Sequence, residues 1–242
     1  MAAAPRPADV ADDRWTVVQD VIGPLEGGAA GDALYATGAS FGEAVGTPSG
    51  RRARIVVPAG TTASFGAYFN AFPAAVWRHD TAATQVRLRL RLSGPAEVVV
   101  VRSDASGARA ETARHAVTAD LDVTVALGDG AGGFVWFEVV ADDAVEVLEG
   151  SWAVDALPLR GGRAVLGMPT VDRGPFVAAN LRRLASAPGL LAQVMRVVVV
   201  DQGGRPVADD PAVVAAAEPL DGVLRLLRQA NLGGSGGYSR IL

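Results

Sequence analysis

Between residues 85 and 92 apolar and charged positions alternate with period two. Val86, Leu88, Leu90 and Leu92 fall on one face of an extended strand, and Arg87, Arg89 and Arg91 on the other, in solvent. Residues 121–127 repeat the pattern, with Leu121, Val123, Val125 and Leu127 set against Asp120, Asp122 and Thr124. The same grammar predicts strands over 53–57, 64–69, 96–102, 110–117, 134–140 and 145–152. Turns rich in Gly and Asp separate them at 93–95, 104–107, 128–133 and 142–143. Roughly eight short strands at such spacing describe an antiparallel, jelly-roll-like β-sandwich over residues 51–158, with no helix interrupting it. Residues 1–50, rich in Ala, Gly and Pro, are expected to be partly irregular.

After about residue 155 the periodicity changes. A linker over 156–162 leads to an apolar strand at 163–168. Pro175 then opens a helix whose Val177, Leu181 and Leu184 share one face, and Pro188-Gly189 stops it. Residues 194–200 are near-continuously apolar, as a parallel strand covered on both faces requires. A helix over 211–218 and a strand over 223–227 complete an α/β series. Three strands and two helices leave an apolar edge and face uncovered. Residues 159–242 are therefore expected to be the N-terminal part of a truncated Rossmann-like domain, ending as a third helix should begin.

The formal net charge of −4 argues against a nucleic-acid partner, which calls for a basic face. Cysteine is absent, which excludes disulfides and thiolate chemistry and fits a reducing compartment. No apolar run approaches the ~18 residues of a membrane span, so membrane association is expected to be peripheral. His79 and His115 are isolated, without the spacing of metal ligands.

In open parallel sheets ligands bind beyond the carboxyl ends of the strands. Three loops belong there: 169–173, 201–204 and the glycine-rich 231–237. They offer Pro169, Thr170, Arg173, Asp201, Gln202 and Asn231, together with backbone amides that glycine lets an anion approach. Arg173 suits phosphate; Gln202 and Asn231 suit base and ribose. Asp201 can accept hydrogen bonds from a nucleotide or cap its own turn. A Walker A loop is excluded because the chain has no Lys. A dinucleotide fingerprint fails too, because the glycines follow the third strand and Ser239 stands where the last Gly belongs.

The strings YFNAFP at 68–73, GMPTVDR at 167–173, DQG at 201–203 and NLGGSGGYSR at 231–240, with Trp77-Arg78, Gly107-Ala-Arg109 and 134–137, carry a resemblance. From about residue 64 onward the chain resembles the galactan-polymerising galactofuranosyltransferase of the actinobacterial cell wall. The resemblance implies a β-sandwich followed by a GT-A catalytic domain, and transfer of galactofuranose from UDP-galactofuranose to a lipid-linked galactan. It further implies inversion, a divalent metal (Mn or Mg), homo-oligomers of the full-length protein and a site on the cytoplasmic face of the plasma membrane. The family's UDP-contacting Arg, Gln and Asn fall on Arg173, Gln202 and Asn231, each 29 residues from the next. Its metal and base residues would lie after Leu242, so the chain itself is expected to bind no metal, to contain no catalytic residue and to be inactive alone. Val171 and Asp172 depart from the family's Phe and Asn. A carboxylate at 172 would oppose a diphosphate unless it turns away.

Trp77, Trp136 and Trp152 fit a sugar-stacking platform or, more simply, a sandwich core. Tyr68, Phe69 and Phe72 fit packing, Arg87, Arg89 and Arg91 a solvated face, and Asp142-Asp143 a turn. The alternative function is a non-catalytic carbohydrate- or partner-binding sandwich with a vestigial α/β stub.

Overall fold

The computed structural model describes residues 14–25, 31–47, 50–128, 133–157 and 162–242. The chain divides into two compact units, Met1–Pro158 and Leu159–Leu242. The expected linker at 156–162 and turn at 128–133 lie largely outside the described residues.

Among the described residues of the first unit ten strands run in chain order. They are β1 (Thr16–Asp20), β2 (Ser40–Thr47), β3 (Gly50–Val57), β4 (Thr61–Ser64), β5 (Gln85–Leu92), β6 (Ala96–Ser103), β7 (Arg109–Val117), β8 (Asp120–Ala126), β9 (Val135–Ala141) and β10 (Val145–Val154). They form two antiparallel sheets. One has the order β2-β3-β10-β5-β8, with β1 also on β10; the other is β4-β9-β6-β7. Strand β10 is long enough to take two partners along one edge. Val145–Val147 pair with β3 and Ser151–Val154 with β1, while β5 lies on the opposite edge.

The alternation read in β5 is realised. Val86, Leu88, Leu90 and Leu92 are buried with Phe65, Phe72, Val98, Val100, Phe137 and Trp152 in one core between the sheets. Each buried side chain of this size contributes about 1.5–3 kcal/mol. On the outer face Arg87 makes a two-pronged contact with Asp122 (2.5 and 2.6 Å), Arg89 reaches the same carboxylate (3.2 Å), and Arg91 pairs with Glu149 (2.7 Å).

Within residues 1–50 the strands β1 and β2 are each paired in a sheet, with mostly irregular chain among the described residues between them. Two expectations are corrected here. A helix, α1 (Ala74–Asp80), does interrupt the sandwich, entered from Pro73 and carrying Arg78, a cation that suits a helix C-terminus, in its last turn. Residues 65–69 are not a strand, because the chain leaves β4 after Ser64 to wrap around Asn70. Asn70 is fully buried. Its Nδ2 donates to the carbonyls of Ile22 (2.9 Å) and Tyr35 (2.8 Å), its Oδ1 accepts from Ile22 N–H (2.9 Å), and its own carbonyl accepts from Trp152 Nε1 (3.1 Å).

The second unit is a parallel sheet of β11 (Ala164–Thr170), β12 (Val194–Asp201) and β13 (Leu224–Arg228), with β12 central. Helices α2 (Gly174–Ala185), α3 (Pro188–Leu191), α4 (Pro211–Ala217) and α5 (Gly233–Ile241) alternate with the strands. Val177 and Leu181 of α2 and Val213 of α4 bury against Val197 and Val199 on one face. Helix α5 packs on the other face, where a Cβ at Gly167 would overlap the Ile241 side chain. Helix α2 ends at Ala185, just before Pro188-Gly189, which opens the single turn α3, and the third helix expected to begin near the last residues is present as α5.

Candidate functional site

Parallel register sets Thr170 beside Asp201 and Asp201 beside Arg228, so all three strands run out at one level. Their loops border an open crevice of about 580 Å³, lined among others by Pro169, Thr170, Val171, Arg173, Phe176, Asn180, Gln202, Asn231, Gly233, Gly234 and Tyr238. Of the residues singled out from sequence, Pro169, Thr170, Arg173, Gln202 and Asn231 are therefore brought together.

Asp201 is not among the lining residues, and it is 3% exposed. Its Oδ1 accepts from Gly203 N–H and its Oδ2 from Val207 N–H, both at 2.9 Å. The carboxylate builds the turn after β12; this corrects its place among the ligand-facing candidates. Asp172, which departs from the family pattern, also faces away from the lining. It adopts φ 50°, a left-handed conformation unusual outside glycine, and its Oδ1 accepts from Arg205 N–H at 3.0 Å. Gly203 lies so close that a Cβ there would come 2.5 Å from that oxygen, so only glycine fits.

Arg173 precedes α2 and its guanidinium lies 5.5 Å from the centre of the Phe176 ring, a cation–π contact. Among the described residues it makes no hydrogen bond or ion pair, which leaves all five N–H donors for a ligand. Helices α2 and α5 both begin at the crevice, and Arg173 and Leu232, the residues that precede them, make no side-chain cap. Pro175 has no N–H, Phe176 and Val177 donate to the Arg173 carbonyl (3.1 Å each), and the Gly233 N–H is held by Asn231, so what both ends offer is chiefly the positive end of the helix dipole. Cation and dipoles together define an anion-binding corner.

Gln202 is 6% exposed and holds the glycine loop. Its Nε2 donates to Gly233 C=O (3.1 Å), and its Oε1 accepts from Leu232 N–H (2.9 Å) and Gln229 Nε2 (3.1 Å). Asn231 Oδ1 accepts from Gly233 N–H at 3.0 Å. Gly237 lets α5 approach: a Cβ there would meet Pro169 Cβ at 2.7 Å and Gln202 Nε2 at 2.9 Å. Sequence reasoning missed Phe176, Asn180 and Tyr238. The first two follow Arg173 at i+3 and i+7, a helical spacing that places them beside it.

The tryptophans form no platform. Trp152 is fully buried, Trp77 stacks on Phe72 (6.1 Å between centroids), and Trp136 is 6% exposed beneath the Arg109 guanidinium. Among the described residues no group of three or more His, Asp or Glu could hold a metal, and the carboxylates within the crevice loops, Asp172 and Asp201, bind backbone amides. The divalent metal implied by the resemblance thus finds no donor set in these residues.

A sandwich joined to a parallel α/β unit with an anion-binding corner is the setting in which the relatives are met. Residues 14–155 match the family described as galactofuranosyltransferase 2 N-terminal, more than half of the chain, and the chain belongs to that family. It is 38% identical over 199 residues to the galactofuranosyltransferase GlfT2 of Mycobacterium tuberculosis, covering 79% of this chain and 31% of that protein. It is 36% identical over 186 residues to GlfT2 of Mycolicibacterium smegmatis, covering 74% and 29%. The chain thus spans about a third of the length of these relatives. Among solved structures, a carbohydrate-binding module of Cellvibrio mixtus lichenase 5A in complex with cellotriose aligns at 15% identity and a TM-score of 0.33, over 57% of this chain and 97% of that one. So slight a likeness says nothing about a ligand.

Proposed function

We propose that this chain is the N-terminal portion of a glycosyltransferase that moves galactofuranose from UDP-galactofuranose to a growing cell-wall galactan, and that its crevice holds the UDP. The observation that carries the reading is Arg173: a guanidinium with no polar partner among the described residues, lining the crevice where α2 and α5 begin. In this reading the diphosphate lies against Arg173 and the first turns of α2 and α5. Asn231 and the second N–H of Gln202 meet base or ribose oxygens. Val171 and Pro169 supply the apolar wall.

Inversion needs a base on the acceptor hydroxyl, and a metal when bound would stabilise the leaving diphosphate. Both are proposed to come from the part of the relatives that this chain does not cover. The proposed acceptor is lipid-linked galactan, met by homo-oligomers of the full-length protein peripheral to the cytoplasmic face of the membrane. The purified 242-residue chain is then expected to bind UDP without turning over UDP-galactofuranose. Calorimetric titration tests the reading. UDP binds the chain, and Arg173→Ala weakens it by at least tenfold, the scale of a charge-assisted hydrogen bond of about 1.5–3 kcal/mol. Equal affinity in chain and variant, or no binding, would sink it.

A further inference from the structure

A carboxamide can turn over and exchange its oxygen and nitrogen, so a Gln beside a ligand can present a donor or an acceptor. In the crevice that choice is set by the Leu232 N–H and the Gly233 carbonyl of the loop, and is reinforced by a residue outside the lining. Gln229 Nε2 donates to Gln202 Oε1 (3.1 Å) and to the Gly236 carbonyl (3.2 Å). Both of its N–H bonds are committed, and turning its amide over would set oxygen against oxygen at both contacts. Gln202 Oε1 is in turn saturated, taking Gln229 Nε2 on one lone pair and Leu232 N–H on the other. Its Nε2 gives one hydrogen to Gly233 C=O and keeps one.

We propose that Gln229 is a positioning residue: anchored on the Gly236 carbonyl, it orients Gln202 so that this side chain offers the crevice a donor and no acceptor. The consequence is selectivity for ligand groups that accept, such as phosphate, ribose or base carbonyl oxygens, and against groups that only donate. The same bonds tie the entry of α5 to β12, so Gln229 also holds the Leu232–Gly233 backbone in its binding form. The ligand side of this inference rests on the nucleotide reading of the crevice; the loop side does not.

The test uses the full 242-residue chain and Gln229→Met, which keeps length and neutrality and removes the donor. Without nucleotide, the Leu232 amide in Q229M is expected to exchange with solvent about tenfold faster, the loss of roughly one buried hydrogen bond. The amides of Val197–Val200 in β12 keep their wild-type rates. UDP affinity, read by calorimetry, falls about tenfold. A Leu232 amide within twofold of wild type, with β12 intact, overturns the proposal, as does a released loop with unchanged UDP affinity. A released loop in a chain whose wild type binds no UDP sinks the nucleotide reading and leaves the positioning of the loop standing. If Q229M also loosens β12, the wild-type Gln229 side-chain amide protons decide: slow exchange of both supports the proposal, and exchange at the rate of a free carboxamide overturns it.

Discussion

Asp172 Oδ1 accepts a hydrogen bond from the backbone N–H of Arg205 at 3.0 Å, and with the bond from Gln202 N–H to Thr170 C=O (2.9 Å) it links the first crevice loop to the second. It turns a negative charge that would oppose a diphosphate into a support for the loop beside it. Asp172→Asn keeps an acceptor and tolerates φ 50°, so the fold is expected to persist and UDP to bind as well or more tightly. Asp172→Ala loses the acceptor in a strained conformation, and its thermal midpoint should fall relative to Asp172→Asn. Denaturation and UDP titration of the two variants check this; a UDP affinity that drops with Asn would mean that the carboxylate itself serves the ligand.

Asn70 fastens the N-terminal segment to the sandwich. Asn70→Ala leaves Ile22 N–H and the carbonyls of Ile22 and Tyr35 without their partner in a fully buried place. A loss of about 3 kcal/mol is expected, the cost of uncompensated buried polar groups. Urea unfolding of the chain measures it, and a change below about 0.5 kcal/mol, the range of a surface substitution, would contradict it.

Asp104, Glu111, Asp122 and Asp155 are all held below the usual carboxylate range, and the last two, partly buried, show how the first unit becomes sensitive to acid. The hydrogen bonds from Arg87, with its charge and that of Arg89, hold Asp122 below the usual carboxylate range. For Asp155 burial acts upward, but the Thr84 hydroxyl and the amides of Gln85 and Thr84 outweigh it and the net shift is also downward. A depressed folded-state value means that the stabilisation is complete above the unfolded value of about 3.9. It is lost as pH falls through the folded value. Stability of the chain should therefore be level above about pH 5 and decline below pH 4. Asp122→Asn should flatten that decline; equal slopes in the two proteins would refute the assignment.

Gly237 sits where α5 meets Pro169 and Gln202. Gly237→Ala has to push the helix outward, at about the 1–3 kcal/mol of an overpacked contact. UDP affinity should fall, with little change in the unfolding of the sandwich unit. Unaltered affinity would show that α5 does not shape the site.

Much of this was legible in the sequence because it rests on short-range periodicity. Gln85–Leu92 keeps strict alternation and is the strand read from it. Residues 194–200 are apolar throughout and lie at the centre of the parallel sheet. Loop positions follow once strand ends are known, which is how Arg173, Gln202 and Asn231 were drawn to one crevice. Other features depend on distant partners. Residues 64–69 alternate well enough for a strand, yet Gly66 lies against the Trp136 indole and Asn70 pulls the chain into a turn. Thr16–Asp20 has no alternation, and its strand is set by β10, far along the chain. Gln229 looks like any polar residue after a strand; its part is set by the Gly236 carbonyl and by Gln202, 27 residues away.

Amide chemical shifts of the labelled chain on addition of UDP test the central claim most directly. The account predicts shifts concentrated in residues 170–174, 202–204 and 231–236, together with the Arg173 side chain, and none in the sandwich. Shifts confined to the first unit, or none at saturating UDP, would contradict it.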